Sequence, residues 1–314
     1  MTGPRVLAIM GSGEIAPTMA KVHRALFERF GDRAATTAAL IDTPYGFQEN
    51  ADELTARIVD FFRLSVGRAM TVATYRSAAA DAVESATAVA RIGEAGYVLA
   101  GPGSPSYALA QWAGGPVPGA IGHKLADGGI VTMASAAALT LGVATIPVYE
   151  IYKVGADPTW LDGLDLLGQS TGLRSAVVPH YDNAEGGTHD TRFCYMGERR
   201  LRVLERSLPS DVFVLGVDSH TALVLDLEAR TADVFGLGGV TIRVDGRSRT
   251  FPNGSETTID ALAETADDLR TSGHPATAWI PTARSLSALI SRDKANTTNI
   301  LPKMGSTSST CTSL

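Results

Sequence analysis

Short apolar runs alternate with longer amphipathic stretches through the first two thirds of the chain. Val6-Leu-Ala-Ile-Met10 is continuous enough for a buried strand, and Gly11-Ser-Gly-Glu-Ile-Ala-Pro17 breaks it. Met19, Val22, Leu26 and Phe30 then recur at three- and four-residue intervals, the spacing of one helix face. The pattern repeats. Ala38 to Ile41 predicts a strand closed by Asp42-Thr-Pro-Tyr-Gly46, and Asn50 predicts the cap of a helix carrying Leu54, Ile58, Phe61 and Phe62. Met70 to Tyr75, a helix from Ala78 to Ile92 and the strand Tyr97 to Ala100 make the next unit. Continuous apolar strands bounded by glycine turns and helices predict an α/β domain whose mostly parallel sheet is covered on both faces.

The pattern changes after residue 210. Val212 to Val217, Ala222 to Asp226, Ala232 to Phe235 and Val240 to Val244 are short strands separated by Asp and Gly turns. They predict C-terminal antiparallel hairpins that finish or flank the main sheet. A helix follows from about Ile259 to Leu269, and beyond Ser272 the periodicity fades. Seven of the last ten residues are Ser or Thr, the composition of a disordered tail. The expected organisation is one domain over 5–270 and an extension over 271–314.

Composition narrows the function classes. Of the 314 residues, 45% are hydrophobic and 19% charged, enough apolar material for a packed core. The net charge of −6 comes without a basic block, which argues against nucleic acid as a partner. The two cysteines, Cys194 and Cys311, build no disulfide framework or cysteine metal site. No apolar run approaches a membrane span, so a cytoplasmic protein without membrane partners is expected. The histidines His180, His189 and His220 with their neighbouring aspartates fit no compact metal motif, so no metal is expected. Gly11-Ser-Gly-Glu14 shares two glycines with a dinucleotide loop, lacks the third and runs into Pro17, so no nucleotide is expected either.

Three segments carry candidate chemistry. In Gly128-Gly-Ile-Val-Thr-Met-Ala-Ser-Ala-Ala-Ala-Leu139 a strand meets a helix at Ser135. That is how a nucleophile elbow presents its hydroxyl, and it is equally where a plain N-cap serine sits. In Leu99-Ala-Gly-Pro-Gly-Ser-Pro105 a glycine turn joins the preceding strand to a helix. Backbone N–H groups of Gly103 or Ser104 could complete an oxyanion hole with that of Ala136. Pro102 has no N–H to give. In Ala176-Val-Val-Pro-His-Tyr-Asp-Asn183 a strand runs into His180, a base if it is exposed at the strand end and a structural donor otherwise. Glu150 stands among apolar neighbours between the two, giving the order nucleophile, imidazole orienter and base. It has Lys153 and Arg192 as alternative partners.

Taken as an ordered set, Gly-Pro-Gly-Ser-Pro-Ser-Tyr, Met-Ala-Ser-Ala-Ala, Val-Pro-His-Tyr and Leu-Gly-Val-Asp-Ser-His resemble the cyanophycinase and dipeptidase E family of serine peptidases. The resemblance runs from about Arg5 to Val244. It implies a flavodoxin-like three-layer α/β/α domain with the class I glutamine amidotransferase-like fold, and no cofactor. It also implies hydrolysis of a small peptide or amide through a Ser-His-Glu triad, with Asp-containing substrates among those the family uses. Ser135 matches the nucleophile, His180 the base, and Glu150 the acid of the dipeptidase branch. The cyanophycinase branch takes a Glu where this chain has Ser219. The family elbow, Gly-x-Ser-Ala-Gly, is here Met133-Ala-Ser-Ala-Ala137, so a catalytically silent, ligand-binding member is the alternative. Asp182, Glu185, His189, Asp190 and Arg192, in the polar stretch after His180, are candidates for selecting a charged substrate group, with a solvated surface loop as the alternative. A homodimer is compatible with the sequence. The Ser/Thr tail around Cys311 also has the composition of a fused peptide-modification substrate.

Overall fold

The computed structural model describes residues 3–31 and 36–272, so the Ser/Thr-rich tail lies outside the described residues. Strand β1 (Arg5–Met10) leads to helix α1 (Pro17–Glu28), β2 (Ala38–Ile41) to α2 (Ala51–Phe61), and β3 (Met70–Ala73) to α3 (Ala82–Glu94). Two helices, α4 (Pro105–Trp112) and α5 (Pro116–Asp127), follow β4 (Tyr97–Ala100). After β5 (Gly129–Ala134) comes the single turn α6 (Ala136–Leu139), then the two-residue pair β6 (Ala144–Thr145) and β7 (Leu161–Asp162). Helix α7 (Leu166–Thr171) precedes β8 (Ser175–Val178), and α8 (Gly197–Glu205) precedes β9 (Phe213–Val217). Strands β10 (Thr221–Asp226), β11 (Thr231–Gly236), β12 (Gly239–Val244), β13 (Arg247–Pro252) and β14 (Glu256–Thr258) then run into α9 (Ile259–Thr271).

The main sheet has the order β14-β11-β10-β1-β5-β4-β2-β3. Its pairs from β1 to β3 are all parallel, and those from β1 to β14 all antiparallel. The α/β class with helices on both faces is as the periodicity predicts. Along β1, Val6, Ala8 and Met10 pack with α1 and α2, while Leu7 and Ile9 pack into the opposite layer with α3, α4, α5 and α7. A strand buried on both sides needs a side chain suited to apolar surroundings at every position, which is why these runs are continuous. Local signals set the helix starts. Asp81 accepts hydrogen bonds from the N–H groups of Val83 and Glu84 at 2.8 Å each, so α3 begins at Ala82 rather than Ala78. Asn50 does occupy the N-cap position of α2, but its side chain makes no capping bond.

The hairpin region both finishes and flanks the main sheet. Strands β10, β11 and β14 extend the main sheet, whereas β9, β12 and β13 join β8 in a second sheet of order β13-β12-β9-β8. The chain crosses between the sheets at Asp218-Ser219-His220. Gly11, the residue after β1, makes this approach sterically feasible: a Cβ there would lie 2.0 Å from the Asp218 carbonyl oxygen. Leu223 and Leu225 of the main sheet share one apolar layer with Leu215, Val217, Val240 and Ile242 of the second. Burial of that layer brings the end of β8 alongside the ends of β1 and β5. Among the described residues, no helix is long and apolar enough to cross a membrane.

Candidate active site

Register decides which residues meet. Met10 lies opposite Ala134, and Ala100 opposite Met133, so β1, β4 and β5 finish at one level. The next residues, Gly11, Gly101 and Ser135, come together at the carboxyl edge of the sheet, where open α/β sheets bind ligands. Ser135 has φ 50° and ψ −118°, and its side chain makes no capping hydrogen bond to α6. Its positive φ and the lack of a capping bond set it apart from an ordinary capping serine, which has extended backbone and bonds the helix N–H groups. The Ser135 N–H donates to the Met10 carbonyl at 3.1 Å, which holds the turn against β1.

The hydroxyl of Ser135 lies 2.8 Å from Nε2 of His180. His180 follows β8 and Pro179 with φ 47°, and its N–H donates to the Gly11 carbonyl at 3.3 Å. The second sheet therefore delivers the His180 imidazole to a hydroxyl borne by the first. Burial holds the His180 imidazole below the ordinary histidine range, the carboxylates of Glu185 and Asp182 pull it back up, and His220 adds to the lowering. A neutral imidazole at pH 7 is the form that accepts a proton.

Around the serine, the Ala136 N–H has no backbone partner among the described residues, and neither does that of Gly103. The Ala137 N–H is taken by the Gly101 carbonyl at 3.2 Å. Ser104 departs from its expected part. Its N–H donates to the Pro44 carbonyl at 2.8 Å and its hydroxyl caps α4 by accepting from the Tyr107 N–H at 3.1 Å, so both groups serve the turn. Gly103, at φ 135°, packs so closely on Pro44 that a Cβ would sit 2.0 Å from that carbonyl oxygen.

The remaining candidates are distributed unevenly. Glu150 opens a π-helical turn, Glu150–Val154, and its Oε2 is buried without a hydrogen-bond partner. Among the described residues it makes no hydrogen bond to His180, and no ion pair to Lys153 or Arg192. Arg192 gives both Nε and Nη2 to Asp190 at 2.9 Å and lies over the Phe193 ring, so its charge is already compensated. Asp182 accepts from the Ser219 N–H at 2.7 Å, so its carboxylate is tied to the turn between β9 and β10. No group of three or more His, Cys, Asp or Glu side chains among the described residues is placed to hold a metal.

Sequence reasoning missed the turn after β1, setting it aside once the dinucleotide reading failed. The Met10 carbonyl holds Ser135, the Gly11 carbonyl holds His180, and the Ser12 hydroxyl accepts from the His220 N–H at 3.3 Å. His220 in turn bonds the Thr18 hydroxyl through Nδ1 at 3.0 Å. Glu14 is buried against Gly101, and burial raises its carboxyl above the ordinary range. The available signal was the pair Gly11 and Gly13: a Cβ at Gly13 would lie 2.4 Å from His220 Nδ1.

No family model and no curated protein matches this chain. Solved structures do. A peptidase from an acI-B1 Actinobacterium overlays with a TM-score of 0.65 at 20% identity, covering 82% of this chain and 97% of its own. The two chains share a fold. A putative peptidase E protein from Listeria monocytogenes EGD-e gives a TM-score of 0.49 at 14% identity, over 75% of this chain and 100% of its own.

Proposed function

We propose that the protein is a serine hydrolase that cleaves a peptide or amide bond, with Ser135 as nucleophile and His180 as general base. The observation that carries this reading is the 2.8 Å approach of Ser135 Oγ to His180 Nε2, made from a serine held at φ 50° on a strand-to-helix turn. The fold shared with a structure named as a peptidase supports it, as does the motif order. The missing elbow glycines, which motivated a silent ligand-binding reading, do not keep Ser135 from the elbow conformation.

In this mechanism Nε2 of the neutral imidazole takes the Oγ proton as the oxygen attacks the substrate carbonyl. The N–H groups of Gly103 and Ala136 donate to the oxyanion that forms. The imidazolium then protonates the leaving amine, and water, activated by the same imidazole, releases the acyl group. Burial around the site suits this sequence, because it keeps the resting base unprotonated.

Labelling by a fluorophosphonate probe, compared across wild type, Ser135→Ala and His180→Ala, tests the assignment. Labelling should require both residues, since losing a triad nucleophile or base costs on the order of a thousandfold or more. Undiminished labelling of Ser135→Ala would refute it.

A further inference from the structure

We infer that Phe47 and Tyr107 form the subsite for the acyl side chain of the substrate, and that they select an apolar side chain there, above all an aromatic one. The inference rests on the reading of Ser135 and His180 as nucleophile and base, and it names the substrate class for that site.

The direction of the acyl group follows from the chemistry and the sheet order. The leaving amine takes its proton from His180, whose N–H is bonded to Gly11 at the end of β1. Strand β1 pairs with one edge of β5 and β4 with the other, and β2 lies beyond β4. With the amine on the β1 side, the acyl part is left to extend over the ends of β4 and β2. Phe47 and Tyr107 stand on the segments that follow those two strands.

These segments are joined beside Gly103, the proposed oxyanion donor. The Ser104 N–H donates to the Pro44 carbonyl at 2.8 Å, three residues before Phe47, and the Ser104 hydroxyl accepts from the Tyr107 N–H at 3.1 Å. The two rings then meet with their centroids 4.9 Å apart.

Arg76 holds both rings in place. Its carbonyl accepts the Tyr107 hydroxyl at 2.9 Å, and Gly46, next to Phe47, packs so closely on it that a Cβ would lie 2.7 Å from Arg76 Cβ. Beyond the ring, the Gln48 N–H donates to the Tyr45 carbonyl at 3.0 Å. Phe47 is nevertheless 51% exposed. A large ring left half-open on a fixed backbone offers apolar surface with little freedom left to lose on binding. Arg76 has no charge to spare, since it bonds Asp42 at 2.9 Å and Asp52 at 2.6 Å. An acidic side chain would therefore lose hydration here and gain no free cation from it. Leu237 is exposed too, but its N–H donates to the His220 carbonyl, which places it on the β10 side of the site.

Hydrolysis of the para-nitrophenyl esters of N-acetylphenylalanine, N-acetylalanine and N-acetylaspartate by the full chain tests the subsite. Wild type should prefer the phenylalanine ester to the alanine ester by about tenfold or more in kcat/KM, and should disfavour the aspartate ester further. Phe47→Ala, which empties no core, should bring the phenylalanine-to-alanine ratio down towards unity. Phe47→Leu should keep part of the ratio, and Leu237→Ala should leave it unchanged. A ratio that survives Phe47→Ala, or a preference for the aspartate ester, overturns the assignment. Binding is read separately by NMR in Ser135→Ala, from the Tyr107 ring resonances of ¹³C-tyrosine chains assigned with Tyr107→Phe. N-acetylphenylalanine should shift them and N-acetylaspartate should not; resonances that ignore N-acetylphenylalanine overturn the subsite as well. Ester hydrolysis that does not depend on Ser135 overturns the nucleophile reading instead, and the NMR titration still decides the subsite.

Discussion

The elbow stores backbone strain at one residue, and that strain can be weighed. Ser135 occupies φ 50° and ψ −118°, a conformation that costs a residue with a Cβ about 1–3 kcal/mol. Ser135→Ala and Ser135→Gly both remove the hydroxyl and its bond to His180, so comparing them cancels that loss. They differ in the Cβ alone. At an ordinary helical or extended position Gly would be less stable than Ala by about 0.5–1 kcal/mol, through the entropy of the unfolded chain. Here relief of the strained dihedral should outweigh that penalty and leave Ser135→Gly more stable by about 1 kcal/mol. For a domain of this size the difference corresponds to a midpoint shift of roughly 2–4 °C. Thermal and denaturant unfolding of the two variants, neither of which should label, provide the assay. A Gly variant at or below the Ala variant in midpoint would mean that the turn is unstrained and that its shape has another origin.

Two further outcomes follow from buried groups and close contacts. His23 is bonded to the Tyr97 hydroxyl and the Glu14 carbonyl at 2.7 Å each, and burial lowers its pKa to about 4, so the unfolded chain protonates first as pH falls. Stability present above pH 6.5 should therefore drop by about 3 kcal/mol on acidification to pH 4, and a His23→Gln variant unfolding in parallel with wild type over that range would remove the claim. Gly103→Ala would drive a methyl into the Pro44 carbonyl and move the N–H proposed as an oxyanion donor. Its hydrolytic rate should fall on the order of a hundredfold, and an unchanged rate would take Gly103 out of the site.

The strands that carry Ser135 and Gly101 were legible because each is buried on both faces and reads as an apolar run, with Thr132 its one polar member, ending at glycine or serine. The choice between elbow and cap was not, since both place a serine between a strand and a helix and only the dihedral separates them. The strand before His180 was visible, but not the sheet it joins. Ser175 to Val178 reads as any buried strand, and its pairing with β9 depends on contacts nearly 40 residues apart, Val178 meeting Gly216. Glu150 was chosen by order along the chain, and order does not say where a π-helical turn aims a carboxyl group. Asp182, a candidate from the sequence for selecting a charged substrate group, instead accepts from the Ser219 N–H, a bond between loops that leaves no periodic trace.

The departure from Gly-x-Ser-Ala-Gly, the elbow of the family the sequence resembles, has a physical account. The residue with positive φ is Ser135 itself, and neither Met133 nor Ala137 shares that conformation. Glycine at the flanking positions therefore serves close approach rather than backbone freedom, and close approach can be met in another way. Met133 points into the apolar layer that also holds Leu7, Ile9, Val98 and Val131, away from the nucleophile's exit. On the helix side Ala136, Ala137 and Ala138 are all buried, with one methyl each, and the Ala137 N–H closes on Gly101 instead of crowding the carbonyl's path. The run Ala-Ser-Ala-Ala-Ala thus surrounds the hydroxyl with the smallest side chains after glycine, while Met133 spends its bulk on the core. An elbow built this way loses the slack that two glycines give. In exchange the turn is held by packing on one side and by the bond to Met10 on the other, which keeps Ser135 Oγ within reach of His180.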